Sequence, residues 1–208
     1  MSAERKDRLL LLVGGSPIHD TPELRSVLSG FLRASGKLDV TLTDDLSALA
    51  ADSLAGYDVV ANYTSLAEPT AEQIAALVAA VQGGKGFVGI HGATVTFGGD
   101  PSYVEMLGSK FITHDAFKRF KVRIVDPEHP ITAGIADFEI NDELYVVEGD
   151  ATRWHVLARA EGHPLVYNKT FGKGRVHYNA LGHDSRGLGH PSFQALLLRG
   201  IEWVRTGA

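Results

Sequence analysis

Leu9-Leu10-Leu11-Leu12-Val13 is an unbroken apolar run that stops at Gly14-Gly15. Such a run fits a strand buried on both faces, as in a parallel sheet. Thr21-Pro22-Glu23 then opens a helix, with Thr21 as the cap and Pro22 at the first helical position. That helix places Leu24, Val27, Leu28, Phe31 and Leu32 on one face and ends near Gly36. Residues 38–43 predict a second strand, 45–52 a short helix and 57–63 a third strand. Thr70 opens another helix carrying Ile74, Leu77, Val78 and Val81, which Gly83-Gly84 ends. Gly86 to Ile90 is a fourth strand, leading to His91. This βαβαβαβ alternation with short connections predicts a parallel sheet with crossover helices.

The second half is less regular. Residues 101–107 predict a short helix, and 108–115 a loop that holds His114. A strand is expected over 117–125, and the segment 138–147 contains Asp142-Glu143-Leu144-Tyr145. In a strand, Glu143 and Tyr145 share one face while Asp142 and Leu144 share the other. Further strands are expected over 154–160 and 164–168. A turn at Lys173-Gly174-Arg175 precedes a strand over 176–181 that runs into Gly182-His183-Asp184. Residues 191–205 predict a closing amphipathic helix with Phe193, Leu196, Leu197, Ile201 and Val204 inward. No repeat, linker or low-complexity segment interrupts the chain, so residues 1–208 read as one domain.

Composition narrows the function. The 208 residues are 44% hydrophobic and 22% charged, ordinary for a globular protein. Net charge is −5 and no basic stretch is long, which argues against nucleic acid as a partner. Cysteine is absent, removing disulfides, thiolate metal sites and a Cys nucleophile. Met1 to Arg8 is polar, and no apolar run approaches membrane-spanning length, so a cytoplasmic location and no membrane partner are expected. A small molecule is the expected partner, and the closing helix is a candidate surface for a homo-oligomer.

Ligands of parallel sheets sit beyond the carboxyl ends of the strands. His19, Asn62, Tyr63 and His91 all fall at such ends. Gly89-Ile90-His91-Gly92-Ala93 has the form of a nucleophile elbow, a tight strand-to-helix turn that pushes one side chain up. The usual occupant is Ser or Cys, and here it is His91.

Four stretches in this order resemble the trehalose-utilisation (ThuA-like) family. They are Gly84-Lys85-Gly86-Phe87-Val88-Gly89-Ile90-His91, His129-Pro130-Ile131-Thr132-Ala133-Gly134, Asp142-Glu143-Leu144-Tyr145, and the run Phe171 to Asp184. The resemblance implies a class I glutamine amidotransferase-like fold: an α/β, flavodoxin-like three-layer sandwich with a mainly parallel central sheet. It also implies that His91 stands where amidotransferases carry their catalytic Cys, with Gly182-His183-Asp184 near the position of their His and Glu. Ordinary glutaminase chemistry is then unavailable. The family is associated with trehalose and related glycosides handled through keto-sugars.

His91, His183 and Glu143 are therefore the candidate catalytic groups, moving protons at a glycoside or keto-sugar. Asp184 would orient the His183 ring, as a carboxylate does in a triad; the alternative is that it caps the following loop. Tyr145 beside Glu143 suits a sugar pocket, the ring stacking on C–H faces and the carboxylate binding hydroxyls. His19 and His114 are the other candidate binding residues. His129, His155, His163 and His177 read as structural or exposed, and His190 as the start of the closing helix. Gly172-Lys173-Gly174 lacks the spacing of a phosphate loop and reads as a hairpin turn. No cofactor is expected. A metal-dependent hydrolase is the lesser alternative, since no His-x-x-x-His pair fixes ligand geometry. A third reading is a non-catalytic binding module that keeps an amidotransferase-like fold.

Overall fold

The computed structural model describes residues 5–207. The first four residues of the polar Met1–Arg8 segment thus lie outside the described residues. Among the described residues, eleven strands and six α-helices follow the order β1 (Asp7–Leu12), α1 (Pro22–Ala34), β2 (Leu38–Thr43), α2 (Ala51–Leu54), β3 (Val59–Asn62), α3 (Ala71–Gln82), β4 (Gly86–Ile90), α4 (Pro101–Leu107), β5 (Ser109–His114), β6 (Lys118–Ile124), β7 (Phe138–Asp142), β8 (Tyr145–Gly149), β9 (His155–Ala160), β10 (His163–Phe171), β11 (Gly174–Asn179), α5 (Ser185–Leu188) and α6 (Pro191–Thr206). Nine of the strands form one sheet in the order β2-β1-β3-β4-β11-β10-β9-β6-β7. Strands β2, β1, β3, β4 and β11 are mutually parallel, and the remaining four pair antiparallel.

The helices cover both faces. Strand residues an odd number apart point to opposite faces, and β4 shows this directly. A Cβ on Gly86 would lie 2.8 Å from Val204 of α6, whereas one on Gly89 would lie 2.7 Å from Leu107 of α4. Helix α1 joins α6 on its side through the Phe31–Phe193 ring contact at 6.4 Å. Leu9 to Leu12 and Val59 to Ala61 are fully buried between the two layers, as their unbroken apolar runs require. Thr21 accepts a hydrogen bond from Leu24 N, and Thr70 and Gln73 form a reciprocal capping box, so both early helices start where their sequences predict.

Three features differ from the expectations. The short helix expected over 45–52 is a 3-10 turn at Leu46–Leu49 followed by α2. Residues 109–114 form a strand, β5, which pairs antiparallel with β8 in a separate two-stranded ribbon. Its hydrogen bonds come from residues 31 or more positions away, and its alternation is weak because only Ser109 is buried. The segment 138–147 is likewise not one strand. It breaks at Glu143-Leu144, so β7 edges the main sheet and β8 joins the ribbon. The hairpin at residues 172–173 between β10 and β11 forms as expected.

His177, in β11, is fully buried and bonded through Nδ1 to Asn168 Oδ1 at 2.7 Å. Its ring lies directly against α6, where a Cβ on Gly200 would come within 2.4 Å of it. Alanine is ordinarily the better helix residue by about 1 kcal/mol, but here the clash dominates. Gly200→Ala is expected to lower stability by about 1–3 kcal/mol in chemical denaturation; an unchanged or higher midpoint would contradict this packing. Burial also pushes the His177 imidazole down to about 3, against about 6.5 when unfolded. Between those values the unfolded chain binds a proton that the folded chain does not, so stability falls as pH drops. Denaturation midpoints should therefore decline below about pH 6.5, and less steeply in His177→Asn. Equal slopes for the two proteins would exclude His177 as the source.

Candidate functional site

Parallel pairing decides where the histidines go. β1, β4 and β11 run in the same direction in one sheet, so the residues that follow each strand emerge at the same edge. His19 follows β1, His91 follows β4 and His183 follows β11. Their ring centroids lie 5.0 Å apart for His19 and His91, 4.9 Å for His19 and His183, and 5.4 Å for His91 and His183. Glu143 reaches the same point from the break between β7 and β8. Its Oε2 is 3.0 Å from His183 Nδ1 and 3.6 Å from His91 Nε2, and its Oε1 is 3.6 Å from His114 Nδ1.

The elbow at His91 is a real turn. His91 has φ +42°, in the left-handed region that costs a non-glycine residue about 1–3 kcal/mol. Several bonds hold it there. Tyr178 donates from its hydroxyl to the His91 carbonyl at 3.0 Å, and His91 Nδ1 meets the Ala180 carbonyl at 2.8 Å. The neighbouring glycines leave room for the close fit. A Cβ on Gly92 would lie 2.9 Å from Ser65 Cβ and 3.0 Å from the Thr64 carbonyl.

The Ala180 contact also sets the proton position on His91. A carbonyl oxygen only accepts, so Nδ1 carries the hydrogen, and in the neutral ring the lone pair is on Nε2. That Nε2 is buried and has no hydrogen-bond partner in the protein, and the same holds for His19 Nδ1 and His183 Nδ1. The short approach of Glu143 to His183 is thus a close contact without hydrogen-bond alignment. Burial pushes the His19 imidazole down to about 4, with His91 and His183 adding to the effect. Burial and the His91 ring likewise lower His183. For Glu143, burial acts to raise the carboxyl, but the surrounding histidines outweigh it and hold the group low. The centre is a carboxylate among imidazoles, of which His19 and His183 are held neutral at pH 7.

The remaining candidates divide. His114 sits at the mouth, with its side chain 40% exposed and its Nδ1 2.8 Å from the Asp115 carbonyl; Nε2 is therefore its free basic atom. Tyr145 is at the site but buried. Its ring packs against His91 at 4.1 Å, Phe111 at 4.7 Å and His114 at 5.8 Å. It has no open face for a sugar, so its expected stacking role becomes one of packing. Asp184 does not orient His183. It accepts from Arg186 N and Gly187 N at the start of α5 and pairs with the Arg186 guanidinium, which is the capping alternative. Glu143 takes the place beside the His183 ring instead. His190 caps α6 by accepting from Ser192 N, and His155 pairs with Asp126 at 2.7 Å, so both lie outside the cluster.

Asp142 is the residue that sequence reasoning missed. It is fully buried, and it accepts from Gly182 N at 2.8 Å, Glu143 N at 2.9 Å and His183 N at 3.1 Å. One carboxylate thereby fixes the backbone of both Glu143 and His183. The available signal was its phase: Phe138, Ile140 and Asp142 alternate on the inward face of β7, and an acid there needs partners. A cleft of about 740 Å³ lined by Lys37, Leu38, Ala195, Glu202 and Arg205 lies away from all these groups.

The family model for trehalose utilisation, ThuA, matches residues 9–204. The chain belongs to this family. A ThuA-like protein from Parabacteroides merdae superposes with a TM-score of 0.87 at 23% identity, covering 98% of this chain and 91% of that one. A ThuA-like protein from Bacteroides uniformis gives 0.83 at 19% identity, covering 98% and 93%. A β-galactosidase from Bacillus circulans sp. alkalophilus gives 0.68 at 15% identity, covering 95% of this chain but 31% of its own. No curated protein matches the sequence. Family membership carries a sugar-related role, and the structural likenesses establish the fold. Among the described residues, no helix is long and apolar enough to cross a membrane.

Asp142→Asn should test how the loop is held. An amide offers one acceptor oxygen where three N–H groups now converge, so at least one donor is left without a partner. The expected loss is about 1–3 kcal/mol, with His183 displaced in a crystal structure of the variant. Wild-type stability and an unmoved His183 would show that the carboxylate is dispensable.

Proposed function

We propose that this protein is a carbohydrate-active enzyme whose substrate is a glycoside or keto-sugar bound at the mouth of the His19–His91–Glu143–His183 cluster. The observation that carries this reading is the convergence of Glu143, His183 and His114 at the carboxyl edge of the sheet, in a chain of the trehalose-utilisation family. The parallel strand order β2-β1-β3-β4-β11 supports a flavodoxin-like, amidotransferase-like layout. The apex residue His91 and the absence of cysteine leave it without thiol chemistry. A relative from Salmonella typhimurium is described as a cytoplasmic protein, and the same location is our reading here.

The groups have distinct roles in this scheme. His91 Nε2 faces the cluster, not the mouth, so it acts through Glu143 and the other imidazoles. His114 lies at the mouth with its side chain 40% exposed and its Nε2 not used by the Asp115 contact, and it is the group that exchanges protons with substrate. At a keto-sugar, the ketone acidifies the adjacent C–H. His114 removes that proton, and the C–H electron pair becomes part of an enediolate. Return of the proton to the neighbouring carbon, with the hydroxyl proton passing between the two oxygens, gives isomerisation. Alternatively, the electron pair expels an oxygen on the carbon β to the ketone, and the departing oxygen takes up the proton held by His114. In a 3-keto-glycoside that oxygen is the glycosidic one, so elimination cleaves the glycoside.

A second reading is a non-catalytic module. It is favoured by the β-galactosidase likeness, in which this fold makes up under a third of the longer chain. Turnover of 3-keto-trehalose separates the two. The enzyme reading expects release of the aglycone sugar by the wild type, and a fall of about 10²–10⁴-fold in kcat for His114→Gln with KM little changed. Binding without turnover would favour the module, and full activity in His114→Gln would remove its proton-transfer role.

A further inference from the structure

We propose that His19, His91, Glu143 and His183 bind one divalent transition-metal ion, with zinc the best match to the donor set. The four side chains offer ligand atoms that all lie within 4.8 Å of one another. Zinc bonds of about 2.0–2.1 Å in a tetrahedron place ligand atoms about 3.3 Å apart. The two distances from Glu143 Oε2, 3.0 Å to His183 and 3.6 Å to His91, straddle that value.

The second observation is independent of spacing. Three buried imidazole nitrogens, His19 Nδ1, His91 Nε2 and His183 Nδ1, lack any hydrogen-bond partner in the protein. His91 is fully buried, and with Nδ1 donating to the Ala180 carbonyl, the unpartnered Nε2 is the nitrogen left to bind an ion. Buried polar atoms are rarely left in this state, and here three of them belong to one cluster with a carboxylate. A cation at their focus partners all of them together. Imidazole with carboxylate suits zinc and its neighbours in the first transition row, whereas magnesium and calcium prefer all-oxygen shells.

The supporting contacts fit a metal centre as well. Metal-ligating histidines commonly donate their other nitrogen to a carbonyl or carboxylate, as His91 does to Ala180. Asp142 holds the backbone N–H groups of Glu143 and His183. These contacts fix three of the four donors on backbone that is itself tied to the sheet. Glu143 Oε1 faces His114 at the mouth, so a substrate oxygen would approach the ion from that side. Ion binding stands on this geometry alone; its use on a sugar rests on the function proposed above.

The test is zinc titration of the full-length protein after chelator treatment and dialysis, followed by calorimetry, with cobalt(II) absorption as a spectroscopic probe. The expected result is one ion per chain and intense visible bands from cobalt in a low-symmetry site. Glu143→Gln and His183→Gln should each weaken zinc binding by about 100-fold or more, while His114→Gln should bind it as the wild type does. Circular dichroism and melting curves identify variants that fail to fold, and either of the two suffices. Absence of stoichiometric zinc in the wild type, or equal affinity in the wild type and a folded ligand variant, would overturn the site. Zinc uptake without keto-glycoside turnover keeps the site and removes the sugar chemistry. Turnover by stripped protein that takes up no zinc does the reverse.

Discussion

The hydrogen bond from His91 Nδ1 to the Ala180 carbonyl is the contact on which the rest of the site depends. It ties the end of β4 to the end of β11, two strands that are parallel neighbours in the sheet. It holds a side chain on backbone in the left-handed region and fixes which ring nitrogen bears the proton. Without it, His91 could rotate or change tautomer, and the inward lone pair would be lost. The strain at this residue is sustained because Tyr178, Ala180 and the close fit at Gly92 all favour one arrangement.

Adjacent carboxylates divide two tasks. Asp142 turns inward from β7 and accepts three backbone N–H groups, so its charge is spent on architecture. Glu143 sits one residue later, where the chain leaves one sheet for the other, and aims both oxygens at histidines. The break between β7 and β8 makes this possible. In a continuous strand, Asp142 and Glu143 would still face opposite ways, but β8 could not turn out to pair with β5 and bring His114 opposite Tyr145.

The first half of the fold was legible because its signals are local. Leu9 to Val13 reads as a doubly buried strand, Thr21-Pro22 and Thr70 to Gln73 mark helix starts, and Gly89 to Ala93 reads as an elbow. The clustering of His19 and His91 followed from parallel strands alone. What sequence could not supply came from non-local pairing. β5 exists because β8 provides its partners, and its own pattern of Lys110, Phe111, Ile112 and Thr113 carries little period. Asp184 and Tyr145 were placed at the site by proximity in sequence. Asp184 instead serves the nearest helix start, where a short acidic side chain finds free N–H groups within two or three residues. Tyr145 is large enough to be buried by its neighbours, so its ring packs without facing the crevice. Asp142 went unnoticed since alternation set it apart from Glu143, although its inward phase was visible.

At the centre of the site stands the neutral Nδ1–H form of His91, which presents Nε2 to a cluster of imidazoles and a carboxylate. Long-range ¹H–¹⁵N correlation spectra of the imidazole side chains, recorded at neutral pH on metal-free protein, read this directly. The expected spectrum shows His91 as the Nδ1–H tautomer, with a nitrogen shift for Nε2 typical of a free lone pair. An Nε2–H tautomer, or an imidazolium, at His91 would contradict it.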